Sequence, residues 1–376
     1  MFRPLFFLLS ILLLSPTNAL HNPTPKDDAK PKVQIALLLD TSNSMDGLIE
    51  QAKSQLWKMV NELALTEKDG QSPDIEIALY EYGNDGLNSR EGYIRQVSAL
   101  TTDLDLISEK LFSLTTNGGE EYCGWVIGNA TAQLEWSKNQ GDLKLIIIAG
   151  NEPFDQGPRD FRESCKTAIS HGIQINTIFC GNYEEGVRTH WKKGADLADG
   201  LYFNIDPNAE VVYIPTPYDD EILRLNEELN KTYIYYGAHG KEMSARQEAQ
   251  DANAASMGQA NMASRASFKA KKQYNNAEWD IVDAMEEDPD LLEEVADEQL
   301  PEEMQGMSLE EREAYVKEMA AKREKIRAQI LELDQKARAY RAEKEREMNE
   351  EKDANTLDAV MLKALRQQAG EKGFGG

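Results

Sequence analysis

The sequence is poor in several things at once. Among 376 residues there are three cysteines and four histidines, and 41 Lys and Arg stand against 66 Asp and Glu, a net charge of −25. Three cysteines are too few for a disulfide-knit domain, and collagen-like and mucin-like compositions are excluded as well. Four scattered histidines provide no zinc-hydrolase spacing, so His171 and His190 are expected to be structural or surface residues. No Gly-x-Ser-x-Gly elbow and no phosphate-binding loop occurs. The shortage of positive charge excludes broad nucleic-acid binding, because such a surface repels phosphate at long range. It is compatible with cations and with basic or neutral protein partners. Past the N-terminus, no apolar run approaches the roughly 20 residues that cross a bilayer, so no transmembrane span is expected in the mature chain.

What is present divides the chain into unlike parts. Residues 1–19 read as a signal peptide: Arg3 precedes an apolar run over residues 5–14, Pro16 breaks it, and Thr17-Asn18-Ala19 offers small residues for cleavage. No cysteine follows that would take a bacterial lipid anchor, so the mature chain is expected to be exported, periplasmic or secreted. Residues 20–32 then form a linker. Hydrophobic residues make up 41% of the chain, enough for a packed core, and the length suggests two domains.

Residues 33–206 alternate short β-branched runs with helical periodicity. Residues 33–39 (VQIALLL) form a near-continuous apolar run, as a strand buried on both faces requires. Further strands are expected at 74–82, 93–100, 143–149, 173–180 and 201–205, and helices at 48–65, 104–114, 124–136, 161–171 and 187–198. This alternation predicts an α/β, doubly wound, mostly parallel Rossmann-like sheet. In such sheets ligands sit beyond the carboxyl ends of the strands.

After a turn-rich hinge at 207–219 the chain becomes charged and alanine-rich, and an all-α, partly coiled-coil C-terminal region is expected. Residues 220–300 read as helical, although 241–275 have so little apolar periodicity that a solvated helix and disorder are both open. Within 301–369, Ser308 and Glu311 form a capping box ahead of a long helix. There Val316, Met319, Ile326, Ile330, Leu333, Ala337 and Tyr340 recur at three- and four-residue spacing, interrupted by Arg323. That stripe suits a coiled coil joining copies through residues 308–345, or a helix folding back on its own chain. Residues 370–376 are glycine-rich and expected to be flexible.

The first strand ends in Asp40-Thr41-Ser42-Asn43-Ser44. A carboxylate followed by two hydroxyls at the carboxyl edge of a sheet places three oxygens on one loop, the donor type that hard dications take. This Asp-x-Ser-x-Ser motif, with the alternation that follows it, resembles the von Willebrand factor A (vWA) domain over residues 33–206. The resemblance implies a metal-ion-dependent adhesion site in which Ser42 and Ser44 ligate a divalent cation and Asp40 acts mainly through water. It implies Mg²⁺ foremost, with Mn²⁺ or Ca²⁺ as alternatives, and a protein partner that offers a carboxylate. A second loop, 115–121, would supply Thr116 or Glu120 where the family has Gly-Gly-Thr. The third loop carries Gly150 where the family has an aspartate, leaving Asn151 or Glu152 as an oxygen source and Glu121 as a further metal or supporting residue. Alternatively, Asp40 and the hydroxyls only cap the following helix. Asp46, Glu120, Glu121 and Glu152 crowd negative charge there, favouring a bound cation.

Cys123 and Cys180 are a candidate disulfide at the same edge, with buried free thiols as the alternative. Trp191, Lys192 and Lys193 are expected to pack and solvate. The leading functional expectation is a non-enzymatic interaction module with a helical arm for assembly. A metal-free scaffold oligomerising through its helices, and a metal-dependent hydrolase, are the other readings. The acidic stretch near residues 286–303 is either a solvated face or an internal mask for the cation site.

Overall fold

The computed structural model describes residues 30–206, 214–349 and 357–375. The signal peptide, most of the linker and residues 207–213 of the hinge lie outside the described residues. Six strands, β1 Lys32–Asp40, β2 Asp74–Tyr82, β3 Ile94–Thr101, β4 Leu143–Gly150, β5 Gln174–Cys180 and β6 Tyr202–Ile205, form one sheet in the order β3-β2-β1-β4-β5-β6. Only β3 runs antiparallel, against β2 at one edge. This is the doubly wound order, with the chain reversing its direction of growth beside β1. The carboxyl end of β1 therefore lies at the crevice.

The unbroken apolar run of β1 is explained by its side-chain parity. Val33, Ile35, Leu37 and Leu39 enter one hydrophobic core, while Ala36 and Leu38 enter the other. Successive side chains of a strand point to opposite faces, so a central strand covered on both sides must be apolar throughout. The first core is roofed by α1 (Asp46–Leu63) and α2 (Leu104–Phe112). The second is roofed by α3 (Cys123–Gln133), α4 (Phe161–Ser170) and α6 (Trp191–Asp196). The helix expected at 187–198 is two short ones, α5 (Tyr183–Arg188) and α6. They are broken at His190, whose φ of 73° leaves the right-handed helical region.

The C-terminal region is helical as expected: α7 Asp219–Asn230, α8 Gly240–Ser256, α9 Gln259–Lys269, α10 Ile281–Glu287, α11 Leu291–Glu294, α12 Leu309–Asn349 and α13 Leu357–Glu371. Its arrangement corrects three expectations. Residues 241–275 are ordered, with α8 exposed on one face, and α8 and α9 pack through buried charge together with Ala254, Met262, Ala266 and Phe268. Arg265, wholly buried, binds Asp105 of α2 at 2.5 Å and Asp251 of α8 at 2.6 Å, and Lys269 reaches Asp251 at 2.9 Å. Charge burial of this kind leaves no apolar period in the sequence.

The stripe on α12 is not an open coiled-coil seam. Val316 packs among Ile234, Ile281 and Leu292, while Ile326, Ile330 and Ala337 pack against Ile222, Leu225 and Ala266. Arg323 interrupts it because there the helix meets Asp280 at 2.5 Å and Asp283 at 2.8 Å. The seam assigned to oligomerisation is thus filled by the chain itself. The capping box is present: the Ser308 N–H donates to Glu311 Oε2 at 2.8 Å, and the Glu311 N–H donates to Ser308 Oγ at 3.4 Å.

The glycine-rich end is docked rather than loose up to Gly375. Phe374 is buried in the first core, and Glu67 and Gly375 exchange backbone hydrogen bonds of 2.6 and 2.8 Å. Together α9 and α13 lie against α1, which is therefore covered on both sides. Asn176 of β5 and Gln368 of α13 hydrogen-bond reciprocally at 2.7 and 2.9 Å in the interior. No helix among the described residues is long and apolar enough to cross a membrane.

Candidate functional site

At the end of β1 the chain turns sharply. The fully buried Asp40 accepts the Ser42 N–H on Oδ1 at 2.7 Å, an Asx turn that fixes the loop. The turn brings the Ser42 and Ser44 hydroxyl oxygens to 3.2 Å from each other. The third loop joins them, since Asn151 Nδ2 donates to Ser44 Oγ at 3.1 Å. The second loop is tied on through the backbone, the Asn117 N–H donating to the Thr41 carbonyl at 2.9 Å, and through Thr116 Oγ1, which hydrogen-bonds Asp46 Oδ1. Asp40, Ser42, Ser44, Thr116 and Asn151 thus occupy one patch of the carboxyl edge.

The two acids of the second loop part company. Glu120 is exposed on the rim, whereas Glu121 is buried and interacts with Asp40 and Ser42. Gly83, after β2, is what lets them in: a Cβ there would stand 2.9 Å from Asp40 Oδ1 and 2.7 Å from Glu121 Cγ. Burial raises the Asp40 carboxyl, opposed by hydrogen bonds involving Glu121 and Ser42. Burial, followed by the neighbouring Asp40, pushes Glu121 up to about 10. Asp40 Oδ2 and Glu121 Oε2 are both buried without a hydrogen-bond partner, as is Asn151 Oδ1. Two buried acids with no cation beside them hold a proton, or a cation from solution must balance them.

Gly150 is accounted for by Tyr82. A Cβ at position 150 would lie 2.5 Å from the Tyr82 hydroxyl and 3.1 Å from Asp40 Oδ2. That hydroxyl, wholly buried, donates to the Ala149 carbonyl at 3.0 Å. A phenol from β2 fills the space that a third-loop side chain would need. Sequence reasoning missed Tyr82 because nothing in a strand pattern shows which buried residue ends beside a neighbouring loop. Glu152 points to solvent, and its carbonyl accepts the buried Trp191 indole N–H at 2.8 Å, so Trp191 positions the third loop.

The candidate disulfide is not formed. Cys123, Cys165 and Cys180 are free and buried, with Cys123 in the core under α3 and Cys180 in the core under α1, on opposite faces of the sheet. The acidic stretch does not reach the site: among the described residues it has no hydrogen bond or ion pair to the three loops, and Leu292, Val295 and Leu300 pack it against α12. Nor does any group of three or more His, Cys, Asp or Glu in metal-binding array occur among the described residues. The donors that converge are hydroxyls, an amide and two carboxyls, a set suited to a hard cation and not to zinc.

Residues 32–205 have a doubly wound, mostly parallel α/β fold with one antiparallel edge strand, read from the strand order of the chain itself. Similar solved structures include BatB of Bacteroides thetaiotaomicron (18% identity, 46% of this chain and 90% of that one, TM-score 0.35). The SpRpn10 VWA domain is 16% identical over 48% of this chain and 90% of that one, with a TM-score of 0.36. The vWF domain of the type V pili tip protein Mfa5 of Porphyromonas gingivalis is 12% identical over 48% and 91%, with a TM-score of 0.34. No protein-family model matches the chain, and no curated protein matches it.

Proposed function

We propose that this chain is an exported, non-enzymatic interaction module that holds a divalent cation, Mg²⁺ foremost, at the end of β1 and uses it to bind a carboxylate of a protein partner. The observation that carries this reading is the buried Asp40, with one oxygen lacking any partner, behind two serine hydroxyls that touch each other. An unpaired buried acid costs several kcal/mol unless it is neutralised, so the fold retains Asp40 at a cost that a cation would offset. Asp40, Ser42, Ser44 and Thr116 are the residues that would hold the ion. A bound dication supplies a concentrated positive charge with exchangeable positions.

The chain's own side chains account for the rest. Ser44, Asn43 and Asp46 are exposed, so the site opens toward solvent where a partner can enter. Asn151 orients the Ser44 hydroxyl, and Trp191 holds the loop from which Asn151 projects. Export rests on the N-terminal sequence pattern.

Calorimetric titration of Mg²⁺ and Mn²⁺ into the wild-type protein and into Ser42→Ala/Ser44→Ala tests the reading. Binding is expected in the first and its loss in the second; equal heats from the two proteins would overturn it.

A further inference from the structure

We infer that Glu121 is itself a cation ligand of this site, a second carboxylate that enters from beneath the second loop and replaces the acid missing from the third. This deepens the reading above and depends on it. Three observations on separate parts of the chain meet here. First, position 150 cannot carry the acid, because the space beyond Gly150 is taken by the Tyr82 hydroxyl and Asp40, and Glu152 of the same loop is exposed. Second, Glu121 is only 3% exposed, and its Oε2 has no hydrogen-bond partner. Buried carboxylates with an idle oxygen are rare, since the desolvation cost goes uncompensated. Third, its position is built in. Gly83 leaves just enough room for Glu121 and Asp40 side by side, and the Glu121 N–H is fixed by Gln156 Oε1 at 3.0 Å.

Among the described residues no lysine or arginine forms an ion pair with Asp40 or Glu121, whose neighbours include each other, Ser42 and Glu152. Several other buried acids among the described residues are met by a basic side chain of the chain itself: Asp105 and Asp251 by Arg265, and Asp280 by Arg323. The Asp40–Glu121 pair has no such partner among the described residues, and the proton or cation that neutralises it comes from solution. Two carboxylates and the hydroxyls of Ser42, Ser44 and Thr116 give five protein oxygens, leaving one place of a six-oxygen shell for water or a partner.

The test is Mn²⁺ binding to the full chain, followed by electron paramagnetic resonance and water-proton relaxation, which report the ion's immediate neighbours without any assay of function. Glu121→Gln keeps the shape of the side chain and leaves the backbone N–H of residue 121 free to donate to Gln156 Oε1 as before. It is expected to weaken Mn²⁺ binding about tenfold or more and to raise the number of ion-bound waters by one. Asp85, exposed after β2 with its N–H donating to the Gly118 carbonyl of the second loop at 2.7 Å, is the control: Asp85→Asn removes one exposed charge, and a loss of less than about threefold is expected, the size of a screened long-range effect. Thermal unfolding of each variant verifies that it is folded. Wild-type affinity and water count in Glu121→Gln, with Ser42→Ala/Ser44→Ala still abolishing binding, would overturn the role of Glu121 and leave the site standing. Absence of Mn²⁺ binding in the wild type would overturn both.

Discussion

Replacing Glu121 by glutamine should change how stability depends on pH, and the sign follows from the structure. In the fold the Glu121 carboxyl is pushed up to about 10 by burial and by Asp40, against 4.5 in the unfolded chain. Between those values the folded protein keeps a proton that the unfolded chain has released, so each rise in pH favours unfolding. The slope for one proton is at most about 1.4 kcal/mol per pH unit. From about pH 5 to about pH 8 the wild type therefore loses up to about 4 kcal/mol through this group, and Glu121→Gln loses none of it. The measurement is urea unfolding of both proteins across that range in the presence of a chelator. Taking the difference between them cancels the titration of Asp103 and Asp280, which both share. The gap should widen with pH in favour of the glutamine variant. Adding Mg²⁺ should narrow it, because a cation replaces the proton and binds only the folded wild type well. A gap that stays constant with pH would refute the claim that Glu121 is buried beside Asp40 without a compensating charge.

Two further outcomes concern the packing around the site. Arg265→Met leaves Asp105 and Asp251 with one cation, Lys269, between them, and the cost should be about 3–5 kcal/mol in urea unfolding; a loss below about 1 kcal/mol would show that α9 is not locked to α2 through this charge. Gly150→Ala forces a methyl against the Tyr82 hydroxyl and should cost about 1–3 kcal/mol. Combining it with Tyr82→Phe should be less harmful than the two losses added together, and strict additivity would place the clash elsewhere.

The parts of this molecule legible in the sequence are those in which apolar periodicity does the packing. The run from Val33 to Leu39 announces a strand covered on both faces, and the Asp-x-Ser-x-Ser motif announces a loop of oxygens at its end. Residues 241–275 are opaque because α8 and α9 are held in large part by Arg265, Lys269 and Asp251, with few large apolar residues beside them, and a helix buried through charge looks like a solvated one. The α12 stripe was visible but ambiguous, since a row of apolar residues does not say whether a second copy or the same chain will cover it. Glu120 and Glu121 could not be told apart in sequence. They are adjacent acids, and only the position of Gly83, far away in the chain, gives one of them a place inside.

The helical region also bears on the site, although it contributes none of its residues. The serine loop leads directly into α1, so any freedom of that helix would reach Ser42 and Ser44. Met45, between the loop and the helix, is buried at 1% exposure. Below it α1 presses on the sheet through Leu48, Leu56 and Val60, and above it α9 and α13 close the outer face. Gln51 Nε2 further ties α1 to the Asp206 carbonyl beyond β6 at 3.0 Å. A loop held at Asp40 on one side and by a helix packed on both faces on the other has little freedom left to lose. The ordering cost that weakens recognition by mobile loops is therefore already met in folding. The C-terminal helices, on this argument, act on recognition by holding α1 still, which is a role they can fill without touching a partner.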